Sequence, residues 1–197
     1  KVKEETPEFL DECIRKMNEA LDAIPRRKKV DYKRALFLWP GLKEDTTFKL
    51  RFLRADEYDA RKAARRMVRY YEEKRKLFGE GKLVKTITLD DLTEEDLDDF
   101  QLGYTLELPV KDQTGRPILF YDDMPDFFYN DQIPSDDSAC RAFWYLVMTV
   151  FDDETAQIKG AVGINRICVS AVDLLSPAWI RDALELDARM GELSRSA

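Results

Sequence analysis

Apolar residues in this chain recur every three or four positions as far as Phe78, and every second position from Tyr104. The first spacing lays apolar groups along one stripe of a helix, and the second lays them on one face of a strand. The chain must therefore join a helical layer to a sheet. Thr6-Pro7 opens the first helix, with Thr as N-cap and Pro at the first helical position. Leu10, Ile14, Met17, Leu21 and Ile24 form its stripe, and Pro25 with the run Arg26-Arg27-Lys28-Lys29 ends it. A short helix is predicted over residues 31–39, closed by Pro40-Gly41, and another over 45–55, apolar at Phe48, Leu50, Phe52 and Leu53. Asp59 caps the longest helix, about Ala60–Phe78. Its inward face is Ala60, Ala63, Ala64, Met67, Val68 and Tyr71. Its outward face carries Arg61, Lys62, Arg65, Arg66 and Arg69, and Gly79 and Gly81 stop it.

Beyond this bundle the texture changes. Asp90-Asp91 and Thr93-Glu94-Glu95-Asp96 predict an acidic turn and a short capped helix. Tyr104, Leu106, Leu108 and Val110 alternate with Thr105, Glu107 and Pro109, which predicts a strand. Asp112-Gln113-Thr114-Gly115 is a hairpin turn, and residues 117–121 return as a second strand. A loop over 122–134 carries Phe127, Phe128 and Tyr129, either a membrane-touching tip or a packed cluster. Residues 135–137 cap a helix over 139–151 that is expected to run on through Thr155 to Gly160. Residues 161–164 and 167–172 are short β-like runs, and Ser176-Pro177 opens a last helix striped by Trp179, Ala183, Leu186 and Met190.

A chain of 197 residues with 44% hydrophobic side chains can bury a real core, as one domain or as a helical module joined to a second unit. It contains no apolar run of about 18 residues that would span a membrane. The charged opening, Lys1 to Glu5, does not read as a signal peptide, and Lys1 in place of methionine suggests a missing start. Cys13, Cys140 and Cys168 are widely separated and odd in number, so a reduced, cytoplasmic protein is expected. Histidine is absent, which removes His-based triads, His general bases and the usual zinc sites. Ser138, Ser170, Ser176 and Cys140 thus have no histidine to activate them. Asp90/Asp91 and Asp122/Asp123 read as solvated caps, and Gly79-Glu80-Gly81-Lys82 is not a phosphate loop. No enzyme activity, metal or cofactor is expected. Residues 1–85 hold 24 basic and 16 acidic side chains, a net of +8, and residues 86–137 hold 2 and 15, a net of −13. The cationic half meets either an anionic surface or the acidic segment of its own chain. Nucleic acid is not an expected partner, because exposed aromatics do not interleave the basic helix and the whole chain is acidic.

Two stretches carry a resemblance. Phe48-Lys49-Leu50-Arg51-Phe52-Leu53-Arg54-Ala55-Asp56-Glu57-Tyr58-Asp59-Ala60-Arg61-Lys62-Ala63-Ala64 is similar to the N-terminal signature of the CRAL-TRIO (Sec14-like) lipid-binding family. Asp112-Gln113-Thr114-Gly115-Arg116-Pro117-Ile118-Leu119-Phe120 resembles that family's Asp-x-x-Gly-Arg-Pro-Val strand entry, and residues 141–160 resemble its next helix with an acidic C-terminal turn. The resemblance covers about residues 45–165 in the family's order. It implies an α/β fold: an N-terminal helical bundle, residues 1–85, followed by a CRAL-TRIO-type α/β core with a small mixed sheet, residues 86–197. The family continues with a further strand, a hydrophobic gate helix and a closing strand, so the core is expected to be incomplete here. Where headgroup-binding members often carry basic residues, this chain has Asp56 and Glu57, which would repel a phosphate.

The implied function is binding, and intermembrane transfer, of a phospholipid or other hydrophobic small molecule by a cytoplasmic protein peripheral to membranes. The alternative is a protein-interaction module without a working pocket. Candidate lipid-binding residues are Ile118, Phe120, Tyr121, Phe143, Leu146 and Val147; for each of them, a plain core role is the competing reading. Arg61, Arg65, Arg66 and Arg69 are the candidates for transient contact with an anionic membrane surface. Arg116 is expected to anchor the hairpin turn rather than to touch lipid.

Overall fold

In the computed structural model, which describes residues 4–103, 105–122 and 136–166, the chain is helix-rich with one small mixed sheet. Four helices build the first layer: α1 (Pro7–Ala23), α2 (Val30–Leu38), α3 (Thr46–Ala55) and α4 (Ala60–Phe78). Their starts follow local capping chemistry. The Phe9 N–H donates to Thr6 at 3.3 Å, the Phe48 N–H to Asp45 at 2.9 Å, and the Arg61 and Lys62 N–H groups to Asp59 at 3.0 and 3.1 Å. Gly79 ends α4 in the left-handed region, φ 74°, with its N–H on the Arg75 carbonyl at 2.9 Å.

The α4 helix is the spine on which α1, α2 and α3 pack. Ala63 and Ala64 are fully buried, and their small side chains allow close approach of the neighbouring helices. Met17, Leu21, Phe52, Leu53, Met67 and Tyr71 complete that core. Three buried lysines, Lys29, Lys49 and Lys74, turn their ammonium groups back onto backbone carbonyls. Lys29 reaches Leu21 and Asp22 at the C-terminus of α1, where the helix dipole favours a cation.

Between α3 and α4, Glu57 and Tyr58 adopt positive φ, 52° and 65°, an uncommon state for residues other than glycine. Three contacts hold Tyr58 there. Its N–H donates to the Leu53 carbonyl at 2.6 Å, its ring meets Phe9 edge-on at 5.0 Å, and its hydroxyl donates to Glu5.

A second, smaller core follows. After α5 (Glu94–Leu102) the chain forms β1 (Thr105–Lys111) and β2 (Pro117–Asp122), then α6 (Asp136–Val150), α7 (Glu154–Lys159) and β3 (Val162–Arg166). The sheet order is β1-β2-β3, with β1 antiparallel and β3 parallel to β2. Register slips between Glu107 and Lys111, around Pro109, which has no N–H for the ladder. The hairpin is pinned by Asp112, which accepts the Arg116 backbone N–H and side-chain Nε, both at 2.8 Å. Arg116 thus anchors the turn as its position in the motif implied.

The helix expected to run unbroken to Gly160 is interrupted. α6 stops at Val150, and Asp153 caps the new helix α7 by accepting the Thr155 N–H at 2.8 Å. The adjacent carboxylates of Asp152 and Asp153 both point to partners off the helix, Arg51 and Lys111, which an uninterrupted helix would not place so. Tyr104, the 123–135 loop with Phe127, Phe128 and Tyr129, the run 167–172 with Cys168, and the last predicted helix lie outside the described residues.

The two cores share α6. Cys140 and Trp144 belong to the core of the first layer, whereas Leu146 and Val150 pack with Ala156, Leu119 and Phe100. The rotation of α6 is set by Asp96, which is fully buried at 0% exposure. Its carboxylate accepts from Ser138 Oγ at 2.8 Å and from Arg141 Nε at 2.9 Å, and closes a capping box with Thr93 at 2.9 Å.

If this packing is right, Leu53→Ala, at a fully buried site between α3 and α4, will lower stability by about 2–5 kcal/mol. Urea unfolding is the measurement, and a loss below about 0.5 kcal/mol, typical of exposed positions, would contradict it.

Candidate functional site

Among the described residues, three places have the shape or charge to engage another molecule. The first is the outer face of the sheet. Pairing sets Leu106 opposite Phe120, Phe120 opposite Ile164, and Ile118 opposite Val162. Strand alternation then puts these five apolar side chains on one face, and Thr105, Leu119 and Tyr121 on the other, toward α6. Leu119 packs in the cluster with Leu146, which fixes the inner face. The outer residues are half-buried, and Ile164 is 42% exposed.

The six lipid-site candidates therefore divide. Ile118 and Phe120 stand together on the outer face. Tyr121 shares the inner parity, Leu146 lies in the inner core, Val147 is buried, and Phe143 packs against the bundle core.

The second place is a groove between α1 and α4. Ala20, Ile24 and Val68 supply an apolar lining, and Lys28, Arg61, Arg65 and Arg69 supply charge. Arg61 and Arg65 are exposed. Toward the far end, Lys76 is paired with Glu72 and Glu73 at 3.1 and 2.9 Å, which reduces the net charge there. Arg66, expected on the outward face with the others, is withdrawn. Its guanidinium is bidentate to Asp56 at 2.8 Å, and its side chain is 15% exposed. Asp56, which would repel a phosphate if free, is thereby neutralised by its own neighbour.

The third place is a cleft of about 600 Å3 at the seam where α6 meets the bundle. The Phe48, Tyr70 and Trp144 rings form a contiguous cluster there, with centroids 5.4 Å apart for Phe48–Tyr70 and 5.0 Å for Tyr70–Trp144. Arg51 lies 5.9 Å from the Phe48 centroid and pairs with Asp152 at 2.6 Å. Lys74, 4% exposed, donates to the Lys85 carbonyl at 2.6 Å and sits 5.6 Å from the Tyr70 centroid. Burial pushes its ammonium down to about 8, against an opposing pull from Asp91. Burial also pushes the Tyr70 hydroxyl far above its ordinary value, so that it stays neutral.

This cleft was not foreseen from the sequence. Its members are contributed by α3, α4, the 83–87 segment and α6, and no local spacing relates them. The one available sign was Trp144 itself, a large indole on a helix face that also carries Phe143 and Val147.

Compared with known proteins, the chain matches no family model and no curated protein. No helix among the described residues is long and apolar enough to cross a membrane.

The position of Lys74 gives a signed pH dependence. Its folded value is near 8 and its ordinary value is 10.5. Below about 8 both folded and unfolded states carry the proton, and the folded state bears a desolvated charge. Between 8 and 10.5 only the unfolded chain keeps that proton, so this site's contribution to stability rises with pH across the interval. Lys74→Met removes the effect. Relative to that variant, the unmodified chain is expected to gain up to about 3 kcal/mol from pH 7 to pH 10.5. Parallel urea-stability curves for the two proteins would exclude a desolvated Lys74.

Proposed function

We propose that this chain is a CRAL-TRIO-type domain that binds a phospholipid or another hydrophobic small molecule and passes it between membrane surfaces. The observation that carries the reading is the outer face of the sheet. Leu106, Ile118, Phe120, Val162 and Ile164 lie together there on a scaffold whose other face is already packed against α6. A face of this composition matches the acyl chains of a lipid in chemistry. The order of elements agrees with the resemblance: helical bundle, antiparallel hairpin entered through Gly-Arg-Pro, apolar helix, then a parallel strand. Arg61 and Arg65, exposed beside the apolar lining of the α1–α4 groove, would meet anionic headgroups during transfer. The protein acts in this reading from the cytoplasm, as a peripheral visitor to the bilayer.

Titration with a fluorescent phospholipid tests the sheet face. Replacing both Ile118 and Phe120 by Glu is expected to weaken saturable uptake by about tenfold or more, because charge would be set against acyl chain. Helical circular dichroism should be unchanged. Absence of saturable uptake by the unaltered chain would reject lipid carriage and favour the interaction-module alternative.

Vesicle sedimentation at low salt tests the groove. Each basic side chain near an anionic surface contributes about 1 kcal/mol, so Arg61→Glu with Arg65→Glu should reduce binding to phosphatidylserine-containing vesicles by about tenfold or more. Neutral vesicles should bind both proteins equally poorly. Equal sedimentation of the two proteins with anionic vesicles would remove the membrane role of this groove.

A further inference from the structure

The cleft at the seam of α6 and the bundle holds two features that packing alone does not explain. Among the described residues, Arg51 Nε and Trp144 Nε1 are buried N–H donors with no hydrogen-bond partner. Both residues line the cleft, and Trp144 is only 1% exposed. Leaving a buried donor unsatisfied costs about 1–3 kcal/mol, so two in one cleft are a substantial burden for folding to carry. The Trp144 N–H adds nothing to the apolar contacts of its ring.

The polar groups around them are unbalanced in one direction. Lys74 adds an ammonium with three donors, one of which the Lys85 carbonyl takes. The acidic groups in the cleft are already engaged. Asp152 pairs with Arg51 at 2.6 Å, and Asp45 accepts the Phe48 N–H at 2.9 Å as the cap of α3. What remains is a surplus of donors among aromatic walls, which is the complement of an anion attached to a flat or apolar body. A volume of about 600 Å3 is enough for such a molecule. Arg51 is balanced by Asp152, and Lys74, which holds its proton at neutral pH, adds a positive charge to the cleft.

We propose that this cleft is a binding site for a small aromatic carboxylate, whose oxygens accept from the N–H groups of Arg51, Lys74 and Trp144. The ring system of the ligand lies against Phe48 and Met148. The site is separate from the sheet face: Ile118 and Phe120 do not line it. Its ligand would occupy the seam that joins the bundle to α6, and would therefore tighten that seam on binding.

Calorimetric titration of the full chain with 2-naphthoate is the test, with 2-naphthamide as the neutral isostere and inorganic phosphate as the anion without a body. Saturable binding of 2-naphthoate is expected, with the amide and phosphate each weaker by about tenfold or more. Trp144→Phe removes one donor and keeps an aromatic ring in the wall, and should weaken 2-naphthoate by about fivefold or more. Arg51→Lys keeps a cation for Asp152 but loses the Nε donor, and should weaken it similarly. The Ile118→Glu/Phe120→Glu protein should bind 2-naphthoate as the unaltered chain does, which keeps this result independent of the lipid reading. Failure of 2-naphthoate to bind, equal binding of acid and amide, or full binding by both Trp144→Phe and Arg51→Lys would each overturn the proposal. If Trp144→Phe fails to fold, the acid–amide comparison and Arg51→Lys still decide it.

Discussion

The fold depends on α6 having two apolar sides and using both. Toward the N-terminal bundle it presents Cys140 and Trp144, and toward the sheet Leu146 and Val150. A helix so placed cannot turn about its axis without emptying one core to overfill the other. Asp96 removes even the small freedom that remains. It holds Ser138 and Arg141, on the first turns of α6, from a carboxylate that also caps α5. Burial alone would raise the Asp96 carboxyl, but hydrogen bonds from Arg141, the Thr93 N–H and Ser138 outweigh it, so the group is held below its ordinary value and stays charged. The bundle and the sheet are thus one mechanical unit, although their sequences read as two.

Charge in this protein is spent largely on architecture. The net +8 of residues 1–85 suggested a cationic surface, yet several of those cations are turned inward. Lys29, Lys49 and Lys74 cap carbonyls, Arg66 closes on Asp56, and Arg54 joins Glu5 to Glu154. Exposed positive charge remains at Arg26, Arg27 and Lys28 just beyond α1 and at Arg61, Lys62 and Arg65 on α4. A count over a segment could not separate these cases, because the partner that draws a side chain inward is often distant in sequence.

Features governed by near neighbours were legible in the sequence. Thr6, Asp59 and Gly79 each act within a turn of where they stand and mark the ends they were read to mark, while Asp45, read as the first residue of its helix, is its N-cap. The hairpin at Asp112–Arg116 was equally plain. The inward face of α4 was right at Ala63, Ala64, Met67, Val68 and Tyr71, with Ala60 only half-buried. Interruption of the helix at Asp152 was missed, since periodicity runs smoothly through it and the signal is a single capping aspartate. Asp96, read as part of a short capped helix, is also a buried clamp, which the sequence did not show because Ser138 and Arg141 lie more than forty positions away. Of the candidate ligand residues, alternation along β2 sets Ile118 and Phe120 apart from Tyr121, but which face α6 would cover was not written in the strand. The cleft around Trp144 was illegible for the same reason: it exists only after α3, α4 and α6 have met.

Arg54 has a consequence for the order in which the chain assembles. One guanidinium, 6% exposed, binds Glu5 at 2.7 Å and Glu154 at 2.6 Å. These partners lie 49 residues before it and 100 residues after it. Bringing such remote segments together carries a loop-closure entropy that grows with the logarithm of the span, whereas the capped helices and the Asp112 turn close loops of a few residues. The Arg54 knot therefore belongs to the late part of folding, when α3 and α7 are already formed and only their docking remains. Of the three side chains Glu5 comes first and Glu154 last, so the joint cluster cannot close before residues 100 positions beyond Arg54 have been made. One arginine thereby ties the completion of α3 docking to the formation of α7.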